Sequence, residues 1–537
     1  MGAPAPDFEA DFVIVGGGTA GCVLADRLSA CGRHQVLLIE AGGRDLNPWL
    51  HIPLGYGKVT GHKRLDWRFE TVPQAGLGGR RIGVPRGKVL GGCSSTNGLL
   101  YIRGQAQDYD DWAAAGCTGW SYADVLPWFR RSEDQQHGGN AWHGRRGPLA
   151  VRDPVETHPL CDAFIRACGE SGIPETHDFN GPQQEGAGYY QMTVRGVRRC
   201  STAAAFLAPA RRRPNLRILT HALVEGLLFE RGKAAGVRLR RKGTVETARA
   251  RREVILAGGA IASPQLLMLS GIGPAAHLRE LGIDVRLDRP VGDGLQDHLN
   301  VRSTYRSTRP ITMNDRLRGL TGKALSSADY LLRGRGPLTV AAGYAGAFFR
   351  ADGQHGRPDM QGYFLLFSTD PGGTKLRRES GFMTSAYQLR PASRGMVRLA
   401  SADPTAMPLI DPAYLAEEED RRLTVEGLRR FLAVMQRPAI APYVADAEPP
   451  LDSSDAAILE HVRARASPGH HFAGSCRMGD DADAVVDPRL RVNGVGGLRV
   501  VDAAIMPAVV SGNTNAPVIM IAEKGAEMIL EDAREAA

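Results

Sequence analysis

No C-x-x-C pair occurs in this 537-residue chain, whose eight cysteines (Cys22, Cys31, Cys93, Cys117, Cys161, Cys168, Cys200 and Cys476) are scattered. In a chain this long they read as reduced thiols in a cytoplasmic protein and not as a disulfide scaffold, and no metal site is expected. A basic arm is missing too. Lys and Arg number 66 against 58 Asp and Glu, but they are dispersed, which argues against a nucleic-acid partner. The N-terminus lacks a positive leader: Asp7, Glu9 and Asp11 precede the first apolar run, so no signal peptide is expected. Residues 254–273 run for a membrane span's length without a charge. They hold four Gly, a Pro, two Ser and a Gln, which splits them into a strand, a glycine turn and a helix. No transmembrane segment is expected, and peripheral membrane contact stays open. Gly 65 and Pro 33 together fall below the level of about 25% that marks low complexity.

What is present is globular: 43% hydrophobic and 23% charged residues, with no internal repeat. The length suits about three or four core-sized units or one large two-domain enzyme. Residues 11–15 (DFVIV) form a β-branched run typical of a buried parallel strand. Gly16, Gly18 and Gly21 then fit G-x-G-x-x-G, and a helical face of Ala20, Val23, Leu24 and Leu28 follows. A second strand, residues 36–39, ends at Glu40. This is the dinucleotide-binding βαβ pattern. Glycines admit a pyrophosphate to the backbone, the helix N-terminus offers free N–H groups, and Glu40 can accept from ribose hydroxyls while disfavouring a 2′-phosphate. The motif alone leaves NAD and FAD open.

Residues 85–104 (PRGKVLGGCSSTNGLLYIRG) are a second glycine- and serine-rich stretch, rich in backbone donors for another polar ligand moiety. They resemble the first signature of the glucose–methanol–choline (GMC) family of FAD oxidoreductases. Residues 259–273 (GAIASPQLLMLSGIG) resemble its second signature, and 470–479 (HHFAGSCRMG) its catalytic-histidine segment. Residues 484–494 and 497–517 also match, so the resemblance spans nearly the whole chain. It implies FAD as cofactor. Cys93 and Thr96 depart from the first signature. Cys93 reads as a small-residue swap. Thr96 stands where choline oxidase has a histidine linked covalently to its flavin, so FAD is expected to be non-covalent.

The resemblance implies an α/β FAD-binding, Rossmann-like domain assembled from discontinuous segments (1–156, 197–300 and 465–537). It also implies an α+β substrate domain with an antiparallel sheet (157–196 and 301–464). Phe364–Phe367 and Met396–Leu399 read as strands, residues 417–436 as a helix, and Arg238–Arg252 as a charged surface hairpin. Cofactor contacts carried over by resemblance are Thr19 and Ala20 at the pyrophosphate turn, with Gly16, Gly18 and Gly21. Glu40 and Ala41 fall at the ribose, Val224 at the adenine, and Asn97, Gly98 and Leu99 near the ring, with Gly91 a further cofactor contact. Asp502, Ala503 and Pro517 follow from the C-terminal run.

Alcohol oxidation removes a hydroxyl proton and a carbon-bound hydride, and a positioned base is typically worth about 10²–10⁴ in rate. Histidine suits that role. By resemblance the base is His471, through its spacing to Gly474 and Met478, and not His470. In an extended segment neighbouring side chains face apart. Asn515, just before Ala516 and Pro517, reads on residue type as a helix N-cap. By resemblance it is the second catalytic side chain, hydrogen-bonding to the alcohol oxygen. Tyr344 aligns with the acidic residue that faces the trimethylammonium of choline, so neutral primary alcohols, polyols or sugar-like substrates are expected ahead of choline. The expected enzyme is an FAD-dependent alcohol dehydrogenase passing electrons to a quinone or another acceptor. An alcohol oxidase using oxygen and a hydroxynitrile-type lyase on the same fold are the alternatives.

Overall fold

The computed structural model describes residues 6–354, 356–370, 373 and 375–535. Its first sheet is organised on Phe8–Val15 and Thr244–Leu256, which run parallel with Val13 opposite Val254 and Val15 opposite Leu256. Val36–Ile39 and Leu216–Leu219 continue the parallel array on one side, and Leu498–Val500 joins the end of Thr244–Leu256. Parallel strands are covered on both faces and so must be apolar on both; Phe12, Val13 and Ile14 are accordingly all buried. An antiparallel hairpin, Ala222–Glu230 with Lys233–Arg241, completes the seven-stranded sheet. The charged run 238–252 belongs to this sheet, turning at Lys242 and Gly243.

Residues 254–273 divide into the end of a strand and the helix Gly259–Leu269. Among the described residues no helix is long and apolar enough to cross a membrane. Helices Thr19–Ser29 and Asn515–Glu535 pack together on the parallel sheet, tied by a two-pronged contact of Arg27 with the buried Glu523 at 2.6 and 2.8 Å.

The second seven-stranded sheet is antiparallel. Its order is Val444–Glu448, Leu299–Ser307, Gly381–Gln388, Met360–Leu365, Ala345–Phe349 and Gly186–Tyr189, with Ser467–Pro468 on Leu299–Ser307. Helices Pro159–Glu170 and Glu418–Val434 cover one face, where Phe164 stacks on Phe364 and Phe431 on Phe349, at 4.9 and 5.4 Å between ring centres. Gly362 makes room for that packing: a Cβ there would come within 2.4 Å of the Phe431 ring. Side chains alternate across a strand, so Gln361, Tyr363 and Tyr387 stand on the opposite face, toward the first domain. The architecture is thus an α/β nucleotide domain from separated segments beneath an antiparallel cap. The stretch between them is shared, since Val397, Leu399 and Ile410 pack into the core of the nucleotide domain.

Candidate active site

Glycine backbone builds the nucleotide end. Gly16 has φ +105° and lies so close to Ala257 that a Cβ would meet its carbonyl at 2.5 Å; at Gly21 a Cβ would meet the Gly16 carbonyl at 1.8 Å. No side chain caps the helix that starts at Thr19, which leaves its N-terminal N–H groups, with those of Ala20 and Gly21, for an anion. The second glycine-rich segment closes on the first: Gly91 donates from its N–H to the Gly17 carbonyl at 2.8 Å, and a Cβ at Gly92 would reach the Gly18 Cα at 2.7 Å.

Glu40 is buried at the end of its strand, where its carboxylate accepts from the N–H groups of Gly17 (2.8 Å) and Gly42 (2.7 Å). Burial pushes its pKa up to about 7, against the pull of those two bonds and of Lys88. Each oxygen keeps a lone pair for a hydroxyl donor. Ala41 follows it, and Ala222 donates to the Glu40 carbonyl, which sets Val224 two residues further along the neighbouring strand. These groups fit the pyrophosphate, ribose and adenine of FAD.

On the ring side, Asn97 accepts from the Leu99 N–H at 3.0 Å and from Arg199 at 2.7 Å, while the Gly98 carbonyl receives the Ala342 N–H at 3.3 Å. Leu99 holds φ +75°, a strained value for a side-chain-bearing residue. The Asp502 carboxylate accepts from the N–H groups of Gly259 and Ala504 and from Ser263 Oγ, fastening the N-terminus of helix Gly259–Leu269 to the segment that holds Ala503. That carboxylate is occupied by the protein itself.

The catalytic end is built from side chains. Gln296 and Ala473 bridge two chain segments, Leu299 pairs with Pro468, and between these points the backbone presents His298 and His471 to each other. Gly469 is the close approach: a Cβ there would meet the His298 carbonyl at 2.8 Å. Asp297 accepts the His471 N–H at 2.5 Å and the Tyr414 hydroxyl at 2.5 Å. His471 is buried, whereas His470 is exposed. The two do face apart, but not by strand alternation. His470 lies in the left-handed region at φ +69°, and its carbonyl is held by Arg86 at 3.0 Å.

Fixed backbone acceptors orient the imidazoles. His298 Nε2 lies 2.8 Å from the Leu389 carbonyl, so it carries a hydrogen and leaves Nδ1 bare. His471 Nδ1, 2.9 Å from that bare nitrogen, is therefore the N–H partner, and His471 Nε2 is the free acceptor. Asn513 donates to it from Nδ2 at 3.0 Å and also reaches the Tyr363 hydroxyl at 3.0 Å. Gln361 donates to Asn513 Oδ1, and Tyr387 links Gln361 to Tyr363. Burial, then the fields of His298, His470 and Arg86, hold His471 well below the ordinary imidazole pKa, so it is neutral at neutral pH.

One expected pairing is not formed. The amide beside His471 belongs to Asn513, whereas Asn515 accepts from Thr19 Oγ1 at 3.1 Å, on the dinucleotide turn. Asn515 is also not the N-cap. It is the first residue of its helix, with the Val518 N–H on the Thr514 carbonyl and Pro517 in the first turn. The physical reason is position: Asn513 lies before the helix, after Gly512 at φ +144°, and reaches the cap residues Tyr363 and Gln361, whereas Asn515 opens the helix that packs beside Thr19. Tyr344 also lies elsewhere. Its hydroxyl donates to the Glu156 carbonyl at 2.6 Å, and its ring meets Tyr189 edge-on. His298, Asp297, Gln361, Tyr363, Tyr387 and Asn513 escape sequence reasoning. Only Asn513, two residues before Asn515 in the same run, carried a local signal.

Family comparison agrees with this arrangement. The N-terminal GMC oxidoreductase model matches residues 10–300 and the C-terminal one residues 391–522. The chain belongs to the GMC oxidoreductase family. It is 42% identical to the oxygen-dependent choline dehydrogenase of Brucella ovis over 97% of this chain and 96% of that protein. It is also 42% identical to an alcohol dehydrogenase [acceptor] of Pseudomonas putida, over 97% and 95%. Among solved structures, pyridoxine 4-oxidase from Mesorbium loti is 32% identical with a TM-score of 0.88, covering 96% of this chain and 98% of that one. The GMC enzyme described here is an FAD-dependent oxidoreductase that oxidises alcohols; the relatives named here are dehydrogenases and an oxidase.

Proposed function

We propose that this GMC enzyme is a dehydrogenase for neutral primary alcohols in which His471 is the base and Asn513 the second polar group at the substrate oxygen. The observation that carries this reading is the bare, buried His471 Nε2, whose tautomer is set through His298 by the Leu389 carbonyl. FAD, when bound, supplies the hydride acceptor. His471 Nε2 takes the hydroxyl proton as the carbon-bound hydride leaves, and Asn513 Nδ2, now on His471 and Tyr363, donates to the alcohol oxygen as it gains charge. Tyr363 and Tyr387, on the cap-sheet face opposite its helices, stand beside Asn513 and His471.

Choline is disfavoured by charge. Both oxygens of Asp297, the acid beside His471, are occupied, and the positive charge of Arg86 bears on both histidines. Thr96 supports non-covalent FAD. A quinone or similar acceptor is favoured over oxygen, and eight free cysteines suit a reducing, cytoplasmic compartment. The test is a panel of primary alcohols, polyols and choline with an artificial dye acceptor, run beside an oxygen electrode after acid precipitation has shown where the flavin goes. Yellow supernatant, fast dye reduction with neutral alcohols and slow oxygen uptake are expected. A higher kcat/KM for choline than for every neutral alcohol overturns the substrate reading, and flavin retained in the precipitate overturns the non-covalent one.

A further inference from the structure

Residues 316–335 are built inside out. The helix Gly319–Ala328 runs on into the wider turn Asp329–Arg333. Its inward positions are polar, Ser326 and Tyr330, at 3% and 7% exposure. Its outward positions include Leu320, Leu325, Leu331 and Leu332, at 87%, 64%, 77% and 83%. Along the helix, at about 100° per residue, Leu320, Ala324, Leu325 and Ala328 share an arc of about 140° that also holds Thr321 and excludes Ser326; the exposed Leu331 and Leu332 follow on the wider turn, where Tyr330 is turned inward. A globular surface rarely gathers so much aliphatic area in one place without a partner.

The segment is firmly held. Tyr330 donates to the Val197 carbonyl at 3.0 Å, and the Gly336 N–H to Glu156 at 2.8 Å. The apolar arc is therefore presented by the fold and not by a loose loop. Its frame is basic: Arg316, Arg318, Lys323, Arg333 and Arg335 outnumber Asp315 and Asp329. Asp315 is engaged in capping Thr312, and Asp329 pairs with Arg316 and Arg333. The following turn, Pro337–Thr339, packs on Pro53–Gly55, and Ala342 reaches Gly98 beside the ring-side loop. The arc thus lies on the chain that leads directly into the site.

We propose that this face docks the holoenzyme on an anionic lipid bilayer, lying in the interfacial plane without spanning it. Aliphatic side chains enter the acyl boundary while the flanking Arg and Lys meet acidic headgroups. A second copy of the chain is the poorer occupant, since a two-fold contact would set the same basic frame against itself. The inference does not depend on which alcohol is oxidised.

Sedimentation with sucrose-loaded vesicles tests it, comparing phosphatidylcholine–phosphatidylglycerol with phosphatidylcholine alone. The holoenzyme should partition onto the anionic vesicles at least about tenfold more strongly, less so in high salt. Leu331→Ser with Leu332→Ser should lower that partition about tenfold or more, with FAD content and dye-linked rate unchanged. Should the leucine variant lose FAD, Arg318→Glu with Lys323→Glu provides the same loss from an exposed, unburied pair. Equal partition onto both vesicle types, no change in the variants, or a wild-type dimer that becomes a monomer in the leucine variant would each overturn the proposal.

Discussion

In the proposed reading the dinucleotide turn meets FAD with backbone, whereas the site under the cap meets the alcohol with side chains. The first kind of site depends on absent Cβ atoms and on free N–H groups within a short stretch. The second depends on six side chains from five separated segments, each holding the next in one hydrogen-bonding sense. A backbone site therefore fails all at once when a Cβ is added. A side-chain relay should fail by degrees, according to how close the deleted group stands to the reacting atoms.

The sharpest break of that contrast is Gly21→Ala. Its Cβ would sit 1.8 Å from the Gly16 carbonyl, so the turn must move, and the purified protein should be obtained without FAD. Absorbance of the purified protein checks this; a normal flavin spectrum would show that the turn tolerates displacement. His471→Ala comes next. Flavin reduction in anaerobic stopped flow should slow by about 10²–10⁴ with FAD still bound, while His470→Ala, on the exposed side, loses less. Because burial lowers the pKa of His471, the neutral base persists below the ordinary imidazole range. The acid limb of kcat/KM should accordingly fall below pH 6.5, and a limb above it would contradict the assignment.

The third contrast sets Asn513 against Asn515. Loss of a hydrogen bond to developing charge costs roughly 1.5–3 kcal/mol, so Asn513→Ala should slow reduction by about 10–100-fold at full FAD content. Asn515→Ala removes the acceptor of Thr19 and should loosen FAD while leaving the reduction rate of the remaining holoenzyme near normal. The reverse pattern would restore Asn515 to the catalytic position.

This contrast also explains what could be read from sequence. Gly16, Gly18, Gly21 and Glu40 lie within one βαβ unit, where spacing dictates geometry, and the strands and helices around them follow from apolar runs. His471 was reached only through the family's motif. The capping rule points to Asn515, next to Pro517, whereas the side chain that meets His471 is that of Asn513, and only the fold shows this. His298, Gln361, Tyr363 and Tyr387 come together through strand pairing and through which face of the cap sheet turns down. No local pattern encodes that choice.

The smallest expected effect concerns Glu40, the buried carboxylate of the backbone-built end. In the ligand-free chain burial raises its pKa from 4.5 to about 7, opposed by the Gly42 and Gly17 N–H groups and by Lys88. The folded value lies above the unfolded one. Its stabilising contribution is thus full below pH 4.5 and is lost as pH rises through about 7. Ribose hydroxyls donating to the carboxylate would favour the ionised form and bring that pKa down. FAD binding should then release a fraction of a proton near pH 7, and almost none at pH well above it, where Glu40 is already ionised. Titration calorimetry of apoprotein with FAD, in buffers of differing ionisation enthalpy, measures that release. Glu40→Gln should abolish it, and an unchanged release in that variant would assign the proton to another group and leave the ribose contact unsupported.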